Sequence, residues 1–167
     1  MADNEREILT YELFGQAARE LAQLIADDGF RPDAIIAIAR GGLTLAGALG
    51  YALDVKMLGS LNVEFYTGEG TTLESPVVLP PTLDRDSLDG KSVLLVDDVA
   101  DSGRTLALVL RLLQAGGGEV RTVCLYSKPS TVLEPTYSWK RTDKWIMFPW
   151  SSEGPVAYPG GKARAAH

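Results

Sequence analysis

The sequence predicts an α/β fold in which helices cover both faces of a parallel sheet. Short, wholly apolar runs alternate along the chain with segments of helical periodicity. Strands without polar alternation are buried on both faces, and strands that alternate with helices form parallel sheets. At 167 residues, 46% of them hydrophobic, the chain has the size of one domain. We assign residues 1–158 to this domain and residues 159–167 to a disordered tail or expression remnant.

The first part of the chain predicts a helix, a strand and a second helix. Apolar residues recur at helical spacing over Thr10–Ala26, and Asp27-Asp28-Gly29 ends the pattern. Ala34–Ala39, with the sequence AIIAIA, predicts a buried strand. The turn Arg40-Gly41-Gly42 then leads into a helix over Leu43–Ala52.

A long polar stretch separates this part from the rest. Lys56–Tyr66 is predicted to be extended, and Thr67–Gly90 is rich in Gly, Pro, Thr and Asp. Loops longer than about 15 residues in compact domains are usually functional lids or disordered segments. We therefore predict a flexible hood at about residues 62–91.

The remaining elements complete the alternation. Ser92–Val96 predicts a second buried strand, and apolar residues at helical spacing over Leu106–Leu113 predict a helix that Gly116–Gly118 stops. Val120–Tyr126 predicts a third strand. Ligands on parallel sheets bind beyond the carboxyl ends of the strands, where the loops at Arg40 and Asp97 both fall.

Composition and rare residues exclude several classes of function. The net charge is −6 with no basic stripe, so we expect no nucleic-acid partner. No signal pattern or long apolar segment is visible, so we expect no membrane and a cytoplasmic location. Cys124 is the single cysteine and is expected to be a buried, inert thiol. His167 is the single histidine and the last residue, which argues against histidine-based triads and metal sites.

The segment VLLVDDVADSGRT, Val93–Thr105, carries the strongest chemical signal. Asp97 and Asp98 offer carboxylate oxygens to the two hydroxyls of a vicinal diol such as ribose. Asp101-Ser102-Gly103-Arg104-Thr105 leads into a helix, whose free N–H groups and positive dipole favour a phosphate. The alternative is a helix cap at Asp101 or Ser102 beside a solvated acidic pair.

This string resembles the signature of the type I phosphoribosyltransferases, which bind phosphoribosyl pyrophosphate. The resemblance implies that Asp97 and Asp98 hold the ribose hydroxyls and help place a Mg²⁺ ion of the donor. Asp101 would lie near the incoming base, with a role in proton transfer. The 5′-phosphate would be wrapped by the loop formed by Asp101, Ser102, Gly103, Arg104 and Thr105.

Two further segments extend the resemblance toward the purine-specific branch, the xanthine-guanine and hypoxanthine-guanine enzymes. Arg40 and Gly41 resemble the loop that binds pyrophosphate, where Arg40 would stabilise the departing group; alone, they could form an ordinary turn. By the resemblance Lys128 would bind the 6-oxo group of the purine, although it could be a solvated lysine. Trp145 would stack on the base, unless it is a core aromatic, and the backbone of Ile146 would read the base edge.

The resemblance implies a pentosyltransferase of purine salvage. It would transfer the phosphoribosyl group to hypoxanthine, guanine or xanthine, and it would form a homodimer or homotetramer. A regulator on the same scaffold, sensing nucleotides and binding RNA or DNA, is the main alternative. A phospho-accepting receiver is a weaker one, because Ala37–Arg40 and Leu125–Lys128 supply no accepting aspartate.

Overall fold

A computed structural model describes residues 5–66, 75–78 and 84–161 of the chain, and the side chains of 64–66 and 75–77 are left aside. The strands are β1 (Arg6–Ile8), β2 (Ala34–Ala39), β3 (Leu58–Tyr66), β4 (Ser75–Val78), β5 (Val93–Ala100), β6 (Val120–Ser127), β7 (Tyr137–Arg141) and β8 (Trp145–Met147). The helices are α1 (Tyr11–Asp27), α2 (Gly42–Ala52) and α3 (Arg104–Gln114), and a 3₁₀ turn spans Arg85–Leu88.

The main sheet has six strands in the order β4-β3-β2-β5-β6-β7. Every neighbouring pair is parallel except β3 and β4, which are antiparallel. The two short strands β1 and β8 form a separate parallel pair. The predicted α/β class and parallel sheet are therefore confirmed, as are the three predicted strands, which correspond to β2, β5 and β6.

The apolar residues of the strands supply a core on each face of the sheet. On β2, Ile35 and Ala37 join one cluster, whereas Ile36 and Ile38 join the other. The first cluster is covered by α1 and α2, and the second is covered by α3 through residues such as Leu106. This two-sided burial is the reason that the strands read as uninterrupted apolar runs.

Helix α1 begins one residue later than the predicted limit, for a local reason. Thr10 is extended, and its Oγ1 accepts a hydrogen bond of 3.1 Å from the amide of Leu13. This side-chain cap satisfies one of the free N–H groups of the first turn. The buried face of the helix consists of Phe14, Ala17, Ala18, Leu21, Ala22 and Ile25.

The sequence prediction missed β1, β4, β7 and β8, of which β4 lies within the predicted hood. Two of them have only three residues, too few to show a period, and β7 contains Lys140 and Arg141, which are both exposed. Part of the predicted hood, 67–74 and 79–83, lies outside the described residues, as do 162–167 of the predicted tail. Within the described part of the chain, no helix has the length and apolar character needed to cross a bilayer.

Candidate active site

The sequence-predicted site residues meet at one edge of the main sheet. Strands β2, β5 and β6 are neighbours and run parallel, so their carboxyl ends lie side by side. Those ends carry Arg40, the Asp97–Thr105 segment and Lys128 respectively. Arg40 and Lys128, which are 88 positions apart in sequence, are thereby brought to the same edge of the sheet.

The strand that carries the acidic pair is longer than predicted. Pairing between β5 and β6 continues to Ala100 and Ser127, so Asp97 and Asp98 belong to the strand and not to a loop after Val96. Acidic residues do not prevent ladder hydrogen bonds, because the ladder uses only backbone groups. The two carboxylates are therefore held on a regular strand.

Burial and mutual repulsion dominate the electrostatics of the acidic pair. Burial raises the pKa of Asp97 well above its usual range, and the neighbouring charge of Asp98 raises it further. Burial also raises the pKa of Asp98. The amide of Asp98 donates a 2.9 Å hydrogen bond to Asp97 Oδ1. Among the residues that the structure describes, no lysine or arginine forms a salt bridge with either carboxylate.

The described residues place no positive charge in a salt bridge with this pair, which suits a cation or a diol. Carboxylate oxygens are the ligands that Mg²⁺ prefers, usually with water and substrate oxygens completing the shell. The described residues contain no group of three carboxylate, thiol or imidazole side chains that could hold a metal alone. As two carboxylates, Asp97 and Asp98 could supply part of the ligand set of a magnesium ion.

Two glycines allow the Arg40 turn to lie against the acidic strand. A Cβ atom at residue 41 would stand 2.3 Å from Asp98 Oδ2, and one at residue 42 would stand 2.3 Å from the carbonyl oxygen of Val96. Only glycine fits such an approach. The Arg40 side chain is exposed, and its peptide bond with Ala39 is cis.

The predicted phosphate loop opens α3 with free amides. Gly103 is the residue before the helix, at φ +75°, and has no side chain with which to cap it. Ser102 Oγ accepts a hydrogen bond of 3.3 Å from the amide of Arg104. Asp101 makes no capping hydrogen bond. Of the two caps that the sequence suggested, only the one from Ser102 to the Arg104 amide is therefore present. Exposed positions at Asp101, Ser102 and Arg104 surround the positive end of the helix.

A second segment supports this loop, and the sequence reasoning missed it. The amide of Val132 donates to the carbonyl of Ser102 at 2.8 Å. A Cβ atom on residue 103 would stand only 2.2 Å from Thr131 Oγ1. No spacing rule points to Thr131, because the contact joins the loops after two different strands.

The predicted base residues are grouped near the end of β6. The ammonium group of Lys128 donates to the carbonyl of Lys144, the residue before Trp145. Trp145 is 72% exposed, so the alternative of a core aromatic is wrong. Ile146 is buried and pairs with Glu7 across the β1–β8 sheet. Cys124 lies outside this group and is buried and free, as expected.

Comparison with known proteins agrees with this geometry. The chain matches the family described as phosphoribosyl transferase domain over residues 5–154. It is 34% identical over 147 residues to the xanthine-guanine phosphoribosyltransferase of Gluconobacter oxydans (strain 621H), covering 86% of this chain and 83% of the relative.

Two solved structures are similar throughout their length. The purine phosphoribosyltransferase from Pyrococcus horikoshii Ot3 has a TM-score of 0.78 and 38% identity, covering 92% of this chain and 98% of that one. The xanthine-guanine-hypoxanthine phosphoribosyltransferase of Helicobacter pylori has a TM-score of 0.74 and 26% identity, covering 87% and 93%.

Proposed function

Because the chain belongs to the phosphoribosyltransferase family, we propose that it transfers the 5-phosphoribosyl group from phosphoribosyl pyrophosphate to a 6-oxopurine in purine salvage. The products are the nucleoside 5′-monophosphate and pyrophosphate. The observation that carries this proposal is the convergence of the acidic pair, the Ser102–Thr105 loop and Lys128 at the carboxyl edge of β5 and β6.

The acidic pair binds the ribose of the donor. The 2′- and 3′-hydroxyls donate to Asp97 and Asp98, which the described part of the protein leaves without a cationic partner. Burial raises the pKa of both carboxyls, so the ionised pair is unfavourable in the empty site. Hydrogen bonds donated by the ribose hydroxyls stabilise the ionised form, which supports this role.

The loop before α3 binds the 5′-phosphate. Amides of Ser102, Gly103, Arg104 and Thr105 are at the helix N-terminus, where intrahelical partners are lacking. The Ser102 and Thr105 hydroxyls and the Arg104 guanidinium add donors and charge. Asp101 borders the loop on the side of β6, where Ser130 Oγ donates to its carbonyl at 3.4 Å.

The turn after β2 binds the pyrophosphate. The amide of Gly41 approaches the phosphates closely because the residue has no side chain, and Arg40 supplies a positive charge. Magnesium, when bound through Asp97 and Asp98 and the donor, neutralises charge on the donor oxygens. These groups stabilise the negative charge that develops on the leaving oxygen.

The purine is held between Lys128 and Trp145. An ammonium group has three donors, so Lys128 can bind the 6-oxo oxygen while it retains its hydrogen bond to Lys144. Trp145 is free to stack on the base because it is exposed. The carbonyl of Met147 accepts from Leu9 of β1 at 3.0 Å, so the preceding carbonyl, that of Ile146, points away from β1. Its proposed role is to read the base edge.

The transfer breaks one bond and forms another at the anomeric carbon. The C1–O bond to pyrophosphate breaks with its electron pair on oxygen, through an oxocarbenium-like state, and a purine nitrogen supplies the pair for the new C1–N bond. Asp101 accepts the proton that this nitrogen loses. Positioning and charge stabilisation supply most of the rate.

The direct test is product formation. The purified chain is incubated with Mg²⁺, phosphoribosyl pyrophosphate and hypoxanthine, guanine, xanthine, adenine, uracil or orotate in turn. We expect a monophosphate only from the 6-oxopurines, together with one pyrophosphate per turnover. Product from a pyrimidine or from adenine alone would overturn the acceptor assignment, and no product from any base would overturn the proposed function.

The regulator alternative has less support. The relatives with curated names are enzymes, and the chain carries a net charge of −6. A gel-shift measurement with RNA and DNA, made on the same preparation, separates the two functions. We expect no shift at physiological salt. The proposed location is the cytoplasm and the proposed assembly is a homodimer or homotetramer. Sedimentation of the same preparation tests the assembly.

A further inference from the structure

We propose that Thr142 is a positioning residue for the purine: it fixes Lys128 and Trp145 relative to each other. This inference rests on the proposed function. Thr142 follows β7, is 9% exposed and has no assigned role. It lies two residues before Lys144 and three before Trp145.

Three hydrogen bonds form a closed ring through this residue. The amide of Thr142 donates 3.1 Å to the carbonyl of Ser127, which directly precedes Lys128. The amide of Lys144 donates 3.1 Å to Thr142 Oγ1. The ring closes where the ammonium group of Lys128 donates to the carbonyl of Lys144. Thr142, Lys144 and the Ser127-Lys128 pair are therefore each hydrogen-bonded to the other two.

The ring extends the end of the β6–β7 pairing toward the separate β1–β8 pair. Lys128 follows β6 of the main sheet, whereas Trp145 begins β8, which pairs only with β1. Thr142 hydrogen-bonds next to the lysine on one side and next to the tryptophan on the other. Both groups must address one flat base at the same time, so their separation has to be set before the base arrives.

The hydroxyl of Thr142 is the one side-chain atom of the ring that can be removed without altering a proposed base contact. Thr142→Val keeps the volume and branching and deletes the acceptor of the Lys144 amide. A net intramolecular hydrogen bond of about 1 kcal/mol corresponds to about fivefold in a binding constant. We expect the KM for the purine to rise about three- to tenfold, with the KM for the donor unchanged.

A matched control is available on the same pair of strands. Thr122 is also buried, and its Oγ1 accepts from the amide of Thr136 at 2.9 Å. It lies near the amino end of β6, away from the site edge. Thr122→Val removes the same kind of contact, so we expect a similar loss of thermal stability and no change in either KM.

The experiment compares both variants with Thr142→Ser and the unaltered chain in steady-state kinetics and thermal melting. Recovery of the purine KM in Thr142→Ser is expected, because serine restores the acceptor. An unchanged purine KM in Thr142→Val, or an equal rise in both KM values, would overturn the proposal. If Thr142→Val and Thr142→Ala both fail to fold, Thr142 serves the fold alone and the proposal is also overturned. Failure of the proposed function is distinct, since the unaltered chain would then make no monophosphate.

Discussion

Gly41 lies against Asp98 so closely that a Cβ atom on residue 41 would stand 2.3 Å from Asp98 Oδ2. This contact joins the turn after β2 to the acidic end of β5. It places the proposed pyrophosphate site beside the proposed ribose site, because the Asp98 carboxylate lies where a side chain of residue 41 would be. The absence of a side chain at residue 41 therefore lets the Asp98 carboxylate lie against this turn.

Gly41→Ala is expected to weaken donor use. The new methyl group must displace the Asp98 carboxylate or the turn, so we expect kcat/KM for phosphoribosyl pyrophosphate to fall about 10- to 100-fold, from the loss of a hydrogen bond to a charged group worth about 1.5–3 kcal/mol. Initial rates at saturating purine measure the effect.

Gly47→Ala is the matched control for that substitution. Gly47 is exposed on α2, with no atom within 4 Å of an added Cβ. Alanine should stabilise the helix by about 0.5–1 kcal/mol and leave donor kinetics unchanged. Normal donor kinetics in Gly41→Ala would contradict the assignment of this turn.

Asp97→Asn is expected to stabilise the fold and to cripple the activity. Folding raises the pKa of Asp97 above its ordinary value of 3.8. At pH values between the unfolded and the folded pKa, the folded chain therefore binds more protons than the unfolded chain. Stability therefore falls as pH rises through that window, and the ionised pair destabilises the fold at pH 7. The amide removes the charge but keeps an acceptor for the Asp98 amide.

Melting curves from pH 3 to pH 8 give the measurement. Asp97→Asn should melt above the unaltered chain at about pH 7, and the difference should shrink toward about pH 3, where Asp97 is mostly protonated in both the folded and the unfolded chain. Asp33→Asn is the control with opposite sign, because hydrogen bonds from Ser92 lower the pKa of Asp33. A lower melting temperature for Asp97→Asn at neutral pH would refute the electrostatic account.

Gly103→Ala is expected to disturb the phosphate loop beyond the effect of backbone conformation alone. Alanine at φ +75° costs about 1–2 kcal/mol, and here it also meets Thr131 Oγ1 at 2.2 Å. Gly29 has the same φ of +75° with nothing within 4 Å, so Gly29→Ala isolates the conformational part.

Both glycine variants are examined by denaturant unfolding and by donor kinetics. We expect the loss in Gly103→Ala to exceed that in Gly29→Ala, and only Gly103→Ala to raise the donor KM. Equal losses and equal kinetics would show that Thr131 moves aside freely and does not support the loop.

Trp145→Ala is expected to weaken base binding without loss of stability. The side chain is 72% exposed, so its removal leaves no core cavity. Base stacking is worth about 1–3 kcal/mol, which predicts a rise of about 5- to 150-fold in the purine KM. Tyr158→Ala, at 74% exposure, is the control and should change neither KM. Equal effects on the purine and donor KM would refute the stacking role.

The sequence alone determined the class of fold, and it was sufficient to propose the donor half of the candidate site. Buried strands must be apolar on both faces, so AIIAIA at Ala34–Ala39 was readable without a partner, and its limits agree with β2. The string VLLVDDVADSGRT places its chemistry within one strand, one turn and one helix start. Local spacing is sufficient there because the residues that act together are neighbours in the chain.

Only the tertiary structure decided the contacts between distant segments. Three contacts join residues that lie on or after different strands. They are the approach of Gly41 to Asp98, the support of Gly103 by Thr131 and the ring through Thr142. Such contacts depend on strand order and register, which the sequence pattern leaves open because pairing energies are carried by backbone groups common to all residues. The exposure of Trp145 likewise became known only once β8 was seen to pair with β1 at the edge of the fold.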